Sequence, residues 1–127
     1  MTLFCNLISQ LKNAIRSNRS FILFPKNSFC LNFLKLLFAE GIISSVVELP
    51  HSKLLKVKLK YDLKGTACFR DIRTISSSSK MCYLSYVQLA KLEQGIGFFV
   101  VSTNNGLLTG HECIKRRVGG TVFCHII

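Results

Sequence analysis

The spacing of apolar residues changes period several times along the chain, and each change marks a predicted element. From Leu3 to Ser17, Leu3, Leu7, Leu11, Ala14 and Ile15 share one face with Lys12, Asn13 and Arg16 beside it, which predicts an amphipathic helix. Arg19 to Phe24 is a short apolar run ended by Pro25 and predicts a strand. Asn27 or Ser28 can cap a second helix that carries Leu31, Leu34 and Phe38 and runs through Ala39, with Gly41 suited to its C-terminus. Ile42 to Leu49 predicts a strand and Pro50-His51-Ser52 a turn. Leu54 to Tyr61 alternates, with Lys56, Lys58 and Lys60 projecting one way and Val57, Leu59 and Tyr61 the other.

Asp62 to Gly65 predicts a turn and a domain boundary, dividing the chain into residues 1–63 and 64–127. Beyond it, Ala67 to Ile75 predicts a strand, Ser76 to Ser79 a loop, and Tyr86 to Glu93 a short helix. Gly97 to Thr103, with Phe98-Phe99-Val100-Val101, predicts a buried strand. Asn105-Gly106 predicts a type I′ turn, which needs positive φ at both central residues, and Leu107 to Thr109 returns from it. Gly110 to Arg117 predicts a short basic helix or turn, and Gly119-Gly120 leads a last strand, Thr121 to Ile127. The fold class is therefore α+β. It comprises two small α/β domains, the first helix-strand-helix-strands and the second mostly antiparallel β with short helices.

Composition narrows the function. At 49% hydrophobic residues the 127-residue chain can bury a core. Lysine and arginine number 17 against 6 acids, a formal charge of +11, so a polyanion is the natural partner, nucleic acid or an anionic membrane. The acids Glu40, Glu48, Asp62, Asp71, Glu93 and Glu112 are scattered singly, which disfavours carboxylate acid–base chemistry and hard-metal binding. The longest uncharged stretch, Gln94 to His111, carries Ser102, Thr103, Asn104, Asn105 and four glycines, unlike a lipid-spanning helix. Residues 1–39 contain no acid, so the first helix also has the make-up of an organelle-targeting peptide, and periodicity does not separate the two readings.

Candidate chemistry is sparse. Six cysteines, at positions 5, 30, 68, 82, 113 and 124, form no Cys-x-x-Cys pair and read as reduced, mostly buried thiols. His111, Cys113, Cys124 and His125 fit no standard zinc spacing, and Cys124 and His125 point to opposite faces of a strand. No glycine-rich phosphate cradle occurs. The remaining feature is the polar loop Ser102-Thr103-Asn104-Asn105-Gly106, close in sequence to Lys115-Arg116-Arg117. Short polar side chains on a turn can read base edges and 2′-hydroxyls, while basic residues neutralise phosphates.

Gly95-Ile96-Gly97, Val101-Ser102-Thr103, Gly106, Thr109, Glu112, Val118-Gly119-Gly120 and Cys124 resemble, at matching spacing, the signature of the bacterial-type small-subunit ribosomal protein eight family. Asn13-Ala14, Pro25, Glu40-Gly41-Ile42 and Lys58-Leu59-Lys60-Tyr61 extend the resemblance, more loosely, toward the N-terminus. It implies two small α/β domains that touch a stem in the central domain of small-subunit rRNA, with a Ser-Thr-Ser loop making specific contacts. That loop maps onto Ser102, Thr103 and Asn104, with Asn105 replacing a lysine. Ser76 to Ser79 stand in place of a Ser-Arg-Pro-Gly loop, His125 replaces a tyrosine, and Arg117 replaces a glycine.

The candidate RNA contacts are Ser102, Thr103, Asn104, Asn105, Lys115 and Arg116, with Lys12, Asn13, Arg16 and Lys26 in the first half. The resemblance begins near Phe4, which makes the targeting-like segment the first helix of the folded protein. The departures and the richness in Phe, Ile and Leu point to a fast-evolving organellar copy, on a ribosome of the mitochondrial matrix; a plastid or a bacterial cytoplasm is the alternative. Expected partners are small-subunit rRNA and neighbouring small-subunit proteins, with no cofactor, catalytic residue, metal, membrane or small-molecule substrate. A messenger-RNA-binding regulator using the same surface is the second reading, and a Cys/His metal protein the third.

Overall fold

The structure, a computed structural model, describes residues 2–75, 81–93 and 95–127. The Ser76–Ser79 loop expected from sequence lies outside the described residues. The chain forms two compact units, Thr2–Phe69 and Arg70–Ile127, and the Asp62–Gly65 turn lies inside the first.

In the first unit the order is α1 (Thr2–Arg16), β1 (Phe21–Pro25), α2 (Ser28–Ala39), β2 (Ile43–Glu48) and β3 (Leu54–Leu59). The apolar stripe of α1 is buried through Phe4, Leu7, Ile8, Leu11 and Ala14. Asn27 caps α2, its side-chain oxygen accepting from the N–H groups of Phe29 at 3.0 Å and Cys30 at 3.3 Å. Gly41 takes a φ of +79° just past that helix. The three strands pair antiparallel in the order β1-β3-β2. Alternation in β3 buries Leu55, Val57 and Leu59 and turns Lys56 and Lys58 outward. Lys56 Nζ sits 4.6 Å from the centre of the Phe21 ring. Phe33, Leu34 and Leu37 of α2 are fully buried, each burial stabilising by about 1.5–3 kcal/mol. Phe4 meets Phe33 edge-on at 5.0 Å.

The second unit runs β4 (Ile72–Thr74), β5 (Tyr83–Leu84), α3 (Tyr86–Leu92), β6 (Phe98–Thr103), β7 (Gly106–Thr109), α4 (Gly110–Arg116) and β8 (Gly120–Ile126). Its antiparallel sheet has the order β4-β8-β6-β7, with β5 also paired to β8. Ser85 and Gln88 close a reciprocal capping box at the start of α3. Leu89 of α3 and Cys113 of α4 join Phe99, Val101 and Val122 of the sheet in one buried cluster. A Cβ on Gly120 would stand 2.3 Å from the Ser102 carbonyl oxygen, so β8 can lie this close to β6 only with glycine there.

The α+β expectation holds, two local expectations change, and one further strand is present. The strand expected over Ala67 to Ile75 shrinks to Ile72–Thr74, because Ala67 bridges Tyr61 and Arg70 N–H bonds the Ile127 carbonyl instead of a continuous ladder. Strand β5 escaped the sequence reading, since two residues show no period. The hairpin is not type I′: Thr103 pairs with Gly106, so Asn104-Asn105 are the central residues, and neither has positive φ. Gly106 alone takes φ of +98°, the arrangement of a right-handed turn followed by one left-handed residue.

Candidate nucleic-acid interface

The tip of the β6–β7 hairpin presents the polar loop. Ser102 pairs in register with Leu107 on one side and Thr121 on the other, which holds its backbone from both edges. Thr103 Oγ1 donates to the Gly106 carbonyl at 2.9 Å and accepts from the Asn105 N–H at 3.1 Å. Its hydroxyl proton is therefore used inside the loop. Asn104 and Asn105 are exposed, and Ser102 is half-buried. Their side chains have no partner among the described residues, so they offer both donors and acceptors.

Directly after β7, Thr109 caps α4 by accepting from the Glu112 N–H at 3.3 Å. Helix α4 packs against β6 and β7 and carries the basic run. Lys115 is exposed and has no carboxylate partner among the described residues. Arg116 stands 3.6 Å from Glu112 one helical turn back, both about half exposed, a pairing too solvated to neutralise it. Arg117, outside the sequence-predicted contacts, is exposed and adopts a left-handed conformation with φ of +56° and ψ of +42°. A signal was available: a third basic residue followed Lys115-Arg116, at a position where the resembled family keeps glycine.

In the first unit Asn13 and Arg16 are exposed on α1, and Lys12 is half-buried. Asn13 lines an open cleft of about 610 Å³ with Gln10, Arg19, Ser20, Phe21 and Leu23. Tyr61 Oη donates to the Arg19 carbonyl at 2.6 Å and so holds that rim. Gln10 and Arg19 went unnoticed because they are joined to Asn13 only by the fold. Lys26 sits apart from this cleft, paired with Glu48 at 3.1 Å. Each unit thus offers its own basic, amide-bearing surface.

Cys113, Cys124 and His125 are otherwise occupied. Cys113 and Cys124 are buried, and burial pushes the Cys124 thiol up to about 12. Burial also raises Cys113, with the nearby Glu93 carboxylate adding to it. His125 stacks on Phe99 with ring centres 4.2 Å apart and donates from Nε2 to the Ile96 carbonyl at 2.9 Å. Among the described residues no group of three or more His, Cys, Asp or Glu could hold a metal ion.

Each of the two small α/β units exposes amides and basic side chains, a make-up suited to a polyanion. The chain belongs to the ribosomal protein S8 family, whose pattern matches residues 3–127. It is 31% identical over 123 residues to the small ribosomal subunit protein uS8 of Deinococcus deserti, covering 94% of this chain and 92% of that one. It is 37% identical over 95 residues to uS8 of Nautilia profundicola, covering 73% and 72%. A third relative, uS8 of Orientia tsutsugamushi strain Ikeda, is 31% identical over 124 residues, covering 95% and 93%.

Proposed function

We propose that the chain is a structural constituent of the small ribosomal subunit that binds the central domain of small-subunit rRNA and supports subunit assembly and translation. Its role is binding rather than catalysis, and its partners are that RNA and the neighbouring small-subunit proteins. The observation that carries this reading is the hairpin tip. Ser102, Asn104 and Asn105 have open hydrogen-bonding groups on a rigid turn, which Thr103 closes from within. Phosphate attraction comes separately, from Lys115, Arg116 and Arg117 in the second unit and from Lys12, Arg16 and Lys26 in the first. Family membership over residues 3–127 supports the assignment to the small subunit.

The ribosome in question is that of the mitochondrial matrix. Support comes from the departures at Ser76 to Ser79, Asn105, Arg117 and His125, and from the bias toward Phe, Ile and Leu. The functional test is a titration against a central-domain rRNA stem and an unrelated duplex. Tighter binding to the stem is expected; equal binding to both contradicts specific recognition. The location is tested by fractionating cells and following the chain, expected in mitochondria and contradicted by its absence from them.

A further inference from the structure

One buried group takes no part in the interface described above. The side chain of Glu93, just past α3, is 3% exposed. Its Oε1 accepts from the N–H of Phe99, near the start of β6, at 3.1 Å. Its Oε2 lies 3.0 Å from His111 Nε2, near the start of α4, without the alignment of a hydrogen bond and with no hydrogen-bond partner among the described residues. The carboxylate fits only because residue 110 lacks a side chain. A Cβ on Gly110 would stand 1.9 Å from Oε1 and 2.7 Å from the carboxylate carbon.

A carboxylate in such a place is costly unless its surroundings hold it, and an apolar residue would fill the space more cheaply. What the carboxylate adds is a tie between three elements. It joins the end of α3 by a hydrogen bond to the strand that leads to Ser102 and Thr103, and, when His111 is protonated, by an ion pair to the helix that carries Lys115 and Arg116. We propose that Glu93 is a positioning residue for RNA recognition, which sets the hairpin tip and α4 in the relative orientation that the RNA stem reads, with Gly110 as the space that admits it. This rests on the RNA-binding reading above.

Gly110→Ala is the sharpest probe, because it leaves Glu93 chemically intact. The atoms it meets are the far end of a flexible side chain, which can swing away, so the variant is expected to fold. Binding of the full chain to the rRNA stem should weaken about tenfold, with binding to an unrelated duplex and the melting temperature little changed. Glu93→Leu should do the same, and combining the two should add nothing further, since both remove one tie. Glu93→Gln, which keeps an oxygen for the Phe99 N–H but gives up the ion pair with His111, should bind the stem between the parent and Glu93→Leu.

If folded Gly110→Ala binds the stem like the parent, or weakens both RNAs alike, the proposal is overturned. If Gly110→Ala fails to fold, Glu93→Gln and Glu93→Leu decide: equal, parent-like binding by both overturns it, and graded loss with the unrelated duplex unaffected supports it. If the parent itself does not distinguish the stem from the duplex, the RNA-binding reading has failed, and the positioning role with it.

Discussion

Thr103 and Gly106 close the hairpin on themselves: the Thr103 hydroxyl donates to the Gly106 carbonyl at 2.9 Å. With Thr103 Oγ1 also accepting from the Asn105 N–H at 3.1 Å, this side chain shapes the loop more than it faces outward. Ser102, by contrast, keeps its hydroxyl available. Ser102→Ala should cost about 1–3 kcal/mol in binding the rRNA stem, because the RNA group it meets is left unsatisfied. The melting temperature should barely move. Thr103→Val should lower both stability, by about 1 kcal/mol, and stem affinity, by loosening the turn. Melting curves and stem titrations on the two variants check the distinction. Parent-like stem binding by Ser102→Ala would show that the tip is an ordinary hairpin.

The basic residues should behave differently from the tip. With about five or more phosphate contacts, log affinity against log salt should slope at about −4 or steeper. Lys115→Ala should weaken binding to the stem and to an unrelated duplex alike and flatten that slope by about one unit. Lys26→Ala should change it less, because Glu48 already partners that lysine. Titrations at several salt concentrations provide the measurement.

Arg117 sits where glycine is more comfortable. A left-handed conformation costs a residue with a Cβ about 1–2 kcal/mol, and Arg117 holds it to end α4, where Val118 N–H bonds the Cys113 carbonyl at 3.0 Å. Arg117→Gly should therefore raise unfolding stability by about 1 kcal/mol. If its guanidinium meets phosphate, the same change should flatten the salt slope by about one unit. Denaturant unfolding reads the first effect and RNA titration the second.

The thiols give a pH test. Burial raises the Cys124 thiol from an ordinary value of 9.0 to about 12. A group raised in the folded state favours its protonated form there. Its contribution to stability is complete below about 9 and declines as pH climbs from there toward 12. Near pH 8 a thiol reagent should label exposed Cys68 at once and spare Cys30, Cys113 and Cys124 until the chain unfolds. Mass spectrometry of the labelled protein checks this, and rapid native labelling of Cys124 would contradict its burial.

Much of the fold could be read in the chain because burial follows period. The alternation of β3 appears in the sequence as it does in the structure, and so does the face of α1 through Leu7, Leu11 and Ala14, although Leu3 is exposed and Phe4 and Ile8 are buried in its place. The cap at Asn27 was legible for the same reason, a local bond between neighbours. Long-range pairing was not. Strand β5 exists only through β8, and the hairpin register depends on where Thr103 finds Gly106. The polar loop was visible, but not that one of its hydroxyls is spent internally. Nor did Glu93 stand out: a lone acid at a helix end reads as solvated, and only the fold brings Phe99, Gly110 and His111 around it.

Sedimentation reads out whether the chain belongs to the small ribosomal subunit through RNA contact. Ribosomes from cells expressing a tagged chain are washed in high salt and separated on a gradient. The chain is expected to stay with the small subunit at a stoichiometry near one, and Ser102→Ala is expected to reduce its retention. Release of the unaltered chain to the top of the gradient, with small subunits intact, would show that it is not a stable small-subunit component.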